Sequence, residues 1–146
     1  MNYQGHLYGG IATSAIVAGT SLFYGHTDYS VSIVCAATTL VFSLYPDLDT
    51  SSTPSKYAFI LGIPLIVWFI FKTHYIPAFL SLMFISIPKM FPHRGLVHTL
   101  RFGLFASIVW FFILQVLPVN IEYIYIGVSS LIGYMTHLIL DSHVRI

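Results

Sequence analysis

Residues 57–71 read "YAFILGIPLIVWFIF", and no charged side chain interrupts them. The rest of the chain shares this character. Of its 146 residues 57% are hydrophobic and 8% charged, against about 25% charged in an average soluble domain. A water-soluble fold is therefore not expected. Runs 7–24 and 30–45 precede this stretch, and runs 75–91, 102–117 and 121–140 follow it. Short joints such as "GHTDYS", "PDLDTSSTPSK" and "LPVN" separate them. The pattern predicts an all-α fold, a polytopic membrane bundle of about six apolar helices formed by residues 1–146 as a single domain. Several runs are at or below the roughly 17 residues that cross a hydrocarbon core of about 30 Å. The fourth also carries Pro77 and Pro88, which interrupt a helix. Runs three and four are thus either two full crossings or a re-entrant hairpin. Both geometries return the chain to the side it left.

The formal charge of +1 argues against direct nucleic-acid binding, which needs a basic face with many phosphate contacts. No fixed-period repeat or low-complexity tract is present. Cys35, the one cysteine, lies inside the second run and reads as a small buried thiol. The opening "MNYQGH" lacks a cationic leader, so the first helix is expected to remain in the mature protein.

Crossing parity sorts the polar residues. If His6 marks one side, "YPDLDTSS", "PHRGLVH" and "THLILDSHVRI" all emerge on that side. This near face collects Asp47, Asp49, His93, His98, His137, Asp141 and His143, whereas His26, Asp28, His74 and Glu122 are scattered over the far one. Lys56, Lys89, Arg94, Arg101 and Arg145 also fall on the near face, against Lys72 alone opposite. The positive-inside rule makes the near face cytoplasmic. Ionisable groups gathered at one face do not line a path through the bilayer, which ranks a metal transporter last.

Chemistry follows from spacing. On a helix His137 and Asp141, four residues apart, share a face and can reach a common ion, or else form a simple hydrogen-bonded cap. Gly133, one turn earlier, permits close approach of a neighbouring helix or a substrate. Asp47 and Asp49 sit just beyond a proline, where both carboxylates can converge on a cation or remain in a solvated loop. His93 and His98 are five apart, about 140° around a helix, so they share a site only if the helix starts between them. Pro92 and Gly95 allow that break, with His98 projecting from the first helical turn. Arg94 has the planar, multidonor head suited to a phosphate or carboxylate, or to a lipid headgroup. His6 precedes the first helix and joins the group through topology.

The segments "GHLYGGIA", "YPDLDTSS", "HRGLVHTL" and "GYMTHLILD", in this order, resemble the signature of the YdjM-type inner-membrane metal-dependent hydrolases, a family also described as LexA-binding and membrane-associated. The resemblance covers nearly the whole chain. The His-x3-Asp element is more distantly similar to zinc-dependent phospholipase C, an all-helical enzyme with a cluster of zinc ions. The resemblance implies that His6, Asp47, Asp49, His93, His98, His137 and Asp141 are ligands, or immediate neighbours of ligands, for one to three divalent ions, zinc first among them. It further implies hydrolysis of a phosphoester in a membrane lipid or lipid-linked substrate, with Asp49 as bridging ligand or general base and Arg94 neutralising phosphoryl charge. The alternative is a non-enzymatic, metal-stabilised membrane scaffold that binds a cytosolic protein partner.

Two positions depart from the family pattern. Val97 stands where relatives usually carry threonine, so a hydrogen bond supporting the site is expected to be missing. Thr50 replaces a frequent histidine. The chain also stops five residues after Asp141, so a pocket built from later helices is expected to be absent or supplied by a partner.

Overall fold

Each apolar run forms a helix: α1 (Tyr3–Phe23), α2 (Tyr29–Leu44), α3 (Thr53–Phe71), α4 (Tyr75–Ser86), α5 (Leu100–Leu114) and α6 (Tyr123–Leu140). The computed structural model describes residues 3–23, 28–49, 53–92, 95–115 and 123–141. Among them the only other regular elements are three short 3-10 turns, Tyr45–Asp49, Ile87–Met90 and Leu96–His98.

Local chemistry explains the helix ends. α1 starts earlier than the apolar run, so His6 lies inside the helix and not before it. The polar Gln4 and the Gly5 backbone continue the spiral at an end where the first N–H groups lack helical partners in any case. α3 opens with Thr53 and Pro54, a position where a missing N–H costs nothing. α4 gives way to a 3-10 turn at Pro88. A proline there cannot donate to the Phe84 carbonyl, and the Tyr45 hydroxyl donates to that carbonyl instead at 2.9 Å. Thr99 caps α5, its Oγ1 accepting from the Phe102 N–H at 3.3 Å.

α1, α2 and α6 pack against one another, α5 leans on α6, α4 on α5, and α3 sits at the edge against α4 and the Tyr45–Asp49 turn. Two glycines set the closest approaches. A Cβ on Gly133 would fall inside van der Waals contact of the Thr39 carbonyl oxygen and 2.9 Å from its carbon. A Cβ on Gly10 would collide with the Ser43 side chain. α2 is thereby drawn onto both α6 and α1.

The interior contains many small hydroxyls and the exterior is apolar. Ser130 Oγ donates to Ser107 Oγ at 2.8 Å, and the Trp110 indole N–H donates to Thr38 Oγ1 at 3.1 Å. Large apolar side chains such as Ile16, Phe23, Ile33, Leu61 and Phe71 face outward. Water is a poor solvent for such a surface and lipid a good one. By length and composition, Tyr29–Leu48 and Thr53–Phe71 are able to cross a membrane. The apolar helices Tyr75–Met90, Leu100–Leu114 and Ile124–Leu140 are shorter, so six full crossings do not follow from helix length.

The Tyr45–Asp49 turn touches the Ile87–Met90 turn, the Leu96–His98 turn and α6. These joints therefore gather at one end of the bundle, where the start of α1 and the end of α6 also lie.

Candidate metal centre

α6 supplies two of the converging side chains. The Asp141 N–H donates to the His137 carbonyl at 3.0 Å, so helical spacing persists one residue beyond Leu140. His137 Nε2 stands 3.7 Å from Asp141 Oδ2. From α1 the His6 ring stacks on His137, with centroids 4.0 Å apart, and its Nε2 lies 3.1 Å from Asp141 Oδ1. The turn after α2 brings Asp47 Oδ1 to 3.8 Å from His137 Nε2. The turn before α5 brings His98 Nδ1 to 3.7 Å from Asp141 Oδ2. Five ionisable side chains from four separate segments thus converge at one end of the bundle.

The protonation of His137 is fixed from behind. Its Nδ1 lies 2.9 Å from the Ser43 carbonyl oxygen, deep in the interior. A carbonyl can only accept, so Nδ1 carries a proton, and the neutral ring is then the tautomer whose Nε2 keeps its lone pair. That Nε2 is buried without a hydrogen-bond partner among the described residues, and so is His6 Nδ1. A buried nitrogen lone pair facing carboxylates, with its ring oriented by a main-chain carbonyl, is the arrangement of a metal-ligating histidine and its outer support.

The spacing of the donors agrees. Tetrahedral bonds of about 2.1 Å set ligand atoms about 3.4 Å apart. The separations of 3.1, 3.7, 3.7 and 3.8 Å bracket that value. Three of them are too long for hydrogen bonds. The ligand atoms of His6, His137 and Asp141 all lie within 4.8 Å of one another. Imidazole and carboxylate donors without thiolate suit zinc and neighbouring divalent metals. Burial raises the Asp141 carboxyl, but opposing hydrogen-bond and charge contributions outweigh it and hold the group below the ordinary carboxylate value. Asp141 is therefore an anion at neutral pH.

Of the residues anticipated from sequence, His6, Asp47, His98, His137 and Asp141 are brought together. Asp49 closes the Tyr45–Asp49 turn, its side chain outside the described residues, and His93 and Arg94 also lie outside them. His98 does not project from the first turn of α5. It ends a 3-10 turn whose N–H donates to Gly95 O at 3.1 Å, and α5 begins only at Leu100. The break at Gly95 is real: its N–H donates to Pro92 O at 2.9 Å, and a Cβ there would approach that oxygen to 2.8 Å.

The side chain of Val97 offers no hydrogen bond, but its main chain does. The Tyr134 hydroxyl donates to the buried Val97 carbonyl and ties the His98 turn to α6. Tyr134→Phe is expected to cost about 1–3 kcal/mol by leaving that carbonyl unsatisfied. It should also weaken metal binding by about 10- to 100-fold, the usual effect of losing outer support. Thermal melting with and without added zinc checks both. Sequence reasoning missed Ser43 and Tyr134. One acts through a main-chain carbonyl that no residue type encodes, and the other reaches a main-chain carbonyl 37 residues away in the chain.

Neither a curated protein nor a solved structure matches the chain. A family match does, running over residues 1–145 and so through every segment that carries the centre. In agreement with the resemblance read from those segments, the chain belongs to the family described as YdjM inner membrane protein.

Proposed function

We propose that the protein is a membrane-bound, metal-dependent hydrolase whose His/Asp centre faces the cytoplasm and acts on a phosphoester of a lipid or lipid-linked substrate. The family description and the two long apolar helices support an inner-membrane location. In this reading all six helices are membrane-embedded, with α3 and α4 forming two crossings or a re-entrant pair. The observation that carries the proposal is the buried, proton-free Nε2 of His137 facing Asp47 and Asp141.

His6, Asp47, His98, His137 and Asp141 would hold one to three divalent ions, zinc being the best fit to the donors. Bound there, such an ion lowers the pKa of a water molecule toward about 7 and offsets phosphoryl charge. Asp49 would serve as general base and Arg94 would clamp the phosphoryl oxygens. The test is release of phosphate or headgroup from a panel of phospholipids and lipid-linked phosphates by zinc-loaded protein in vesicles. Turnover should fall at least about 100-fold in Asp49→Asn, the scale of a lost general base. An intact panel with metal-loaded wild type would contradict the hydrolase reading.

One observation favours a second reading. His6, His98 and His137 are each 1% exposed or less, so the same ion could serve to lock the four segments of a scaffold that binds a cytosolic protein. Stable metal, no turnover and a retained cytosolic partner would select it. Orientation has a separate check: a reporter fused after Ile146 is expected to be active in the cytoplasm, and activity on the opposite side would reverse the assignment.

A further inference from the structure

An apolar slot of about 300 Å³ lies between α3 and the wall formed by α2, α4 and α5. On α3 its lining residues include Thr53, Tyr57, Ala58, Leu61, Gly62 and Leu65. They recur along one face of the helix. From Thr53 to Leu65 the helix rises about 18 Å, a little more than half of a hydrocarbon core of about 30 Å. The slot therefore has the length of one membrane leaflet. Leu61 and Tyr57 are largely exposed, so it is open along one side.

The opposite wall contributes Leu44, Tyr45, Trp110 and Ile113. Two of its polar atoms are already engaged, the Tyr45 hydroxyl donating to Phe84 O and the Trp110 N–H to Thr38 Oγ1, whereas the Ser81 hydroxyl is buried without a hydrogen-bond partner among the described residues. Gly62 lies against Ile85, and the antiparallel register then sets Ser81, another lining residue, about level with Leu65. At the other end the slot reaches Leu7 and Leu48. Leu7 follows His6, and Leu48 follows Asp47. One end of a leaflet-long apolar slot thus abuts two of the segments that carry the metal centre.

We propose that this slot holds one acyl chain of a membrane phospholipid, with the headgroup end at the His/Asp cluster. The volume supports it, since about 300 Å³ takes roughly ten groups of water or methylene size at about 30 Å³ each. So does the lining, which is hydrocarbon along its length apart from Thr53 at the cluster end and the buried Ser81 hydroxyl near the far end. The inference rests on the membrane reading above and deepens the substrate class, but it needs no turnover.

Trp110 reports directly, because the chain has two tryptophans and Trp68, on α3, is partly exposed at the outer surface. Trp68→Phe leaves Trp110 alone. In vesicles of phosphatidylcholine brominated on its acyl chains, Trp110 fluorescence should fall to half or less of its value in unbrominated vesicles. Ala58→Phe, which fills the slot from α3, should restore most of it, and Ser81→Leu, filling from α4, is a second blocker should the first not fold. Trp110→Phe, leaving Trp68, serves as the reference. Quenched Trp68 with unquenched Trp110 overturns the slot while leaving the membrane reading intact. Quenched Trp110 that neither filler relieves also overturns it. If Trp68 itself escapes quenching, the membrane reading fails and the slot proposal with it. A failed hydrolysis assay leaves all of these readings unchanged.

Discussion

His137→Ala is expected to strip the protein of bound metal. The imidazole touches every part of the centre: its ring stacks on His6, and its Nε2 faces Asp47 and Asp141 at 3.8 and 3.7 Å. Losing outer support typically costs 10- to 100-fold in affinity, so losing this ligand should exceed about 100-fold. A folding penalty accompanies it, because the Ser43 carbonyl loses a buried donor, about 1–3 kcal/mol. Ser43→Ala separates the two causes. It keeps the main-chain carbonyl and removes only a hydroxyl that donates to Leu40 O, so metal content should be unchanged. Zinc titration of both variants, with melting curves alongside, measures the contrast. A Ser43→Ala variant as metal-poor as His137→Ala would mean that the carbonyl is not what orients the ring.

The second large effect is steric and lies in the middle of α6. Gly133→Ala adds one carbon, yet that carbon meets the Thr39 backbone and lies 3.0 Å from Phe42 Cβ. No side-chain rotation relieves a clash with main chain, so α2 has to move away from α6. The expected cost is about 3 kcal/mol, the upper end of overpacking penalties. The displacement also carries Ser43 and Asp47 away from His137, so metal affinity should fall together with stability. Gly127 on the same helix is the matched control. A Cβ there meets nothing within 4 Å, and Gly127→Ala should be neutral or gain up to about 1 kcal/mol from helix propensity. Equal behaviour of the two variants in thermal denaturation would remove close α2–α6 contact as the support of the site.

Some of this arrangement was legible in the sequence because it depends on period and parity. Continuous apolar runs with few charges have one compact solution, helices, and the helices formed where the runs stood. Joints returning to one end brought His6, Asp47, His98 and the His137–Asp141 pair together, since antiparallel helices connected by short links alternate ends. Boundaries were less legible. α1 took in His6, and the start of α5 shifted past His98, because helix starts depend on local capping, here Thr99 and the Gly95 turn. The supporting contacts were not legible either. A main-chain carbonyl at Ser43 and a tyrosine hydroxyl reaching Val97 depend on which backbones come close, and that is set by glycines whose partners lie about 90 residues away in the chain (Gly133 against Thr39). The slot beside α3 is a property of how that helix leans, and an apolar residue lining it reads no differently from one facing lipid.

The central claim is that five side chains from four segments form one metal centre. Its most direct test is the metal content of the wild-type protein, extracted in mild detergent without chelator from zinc-supplemented cells and dialysed against metal-free buffer. At least one equivalent of zinc or a neighbouring divalent metal per chain is predicted to remain, with removal by a strong chelator lowering the melting temperature. A folded protein that emerges with no bound metal, and melts at the same temperature before and after chelation, would contradict the account.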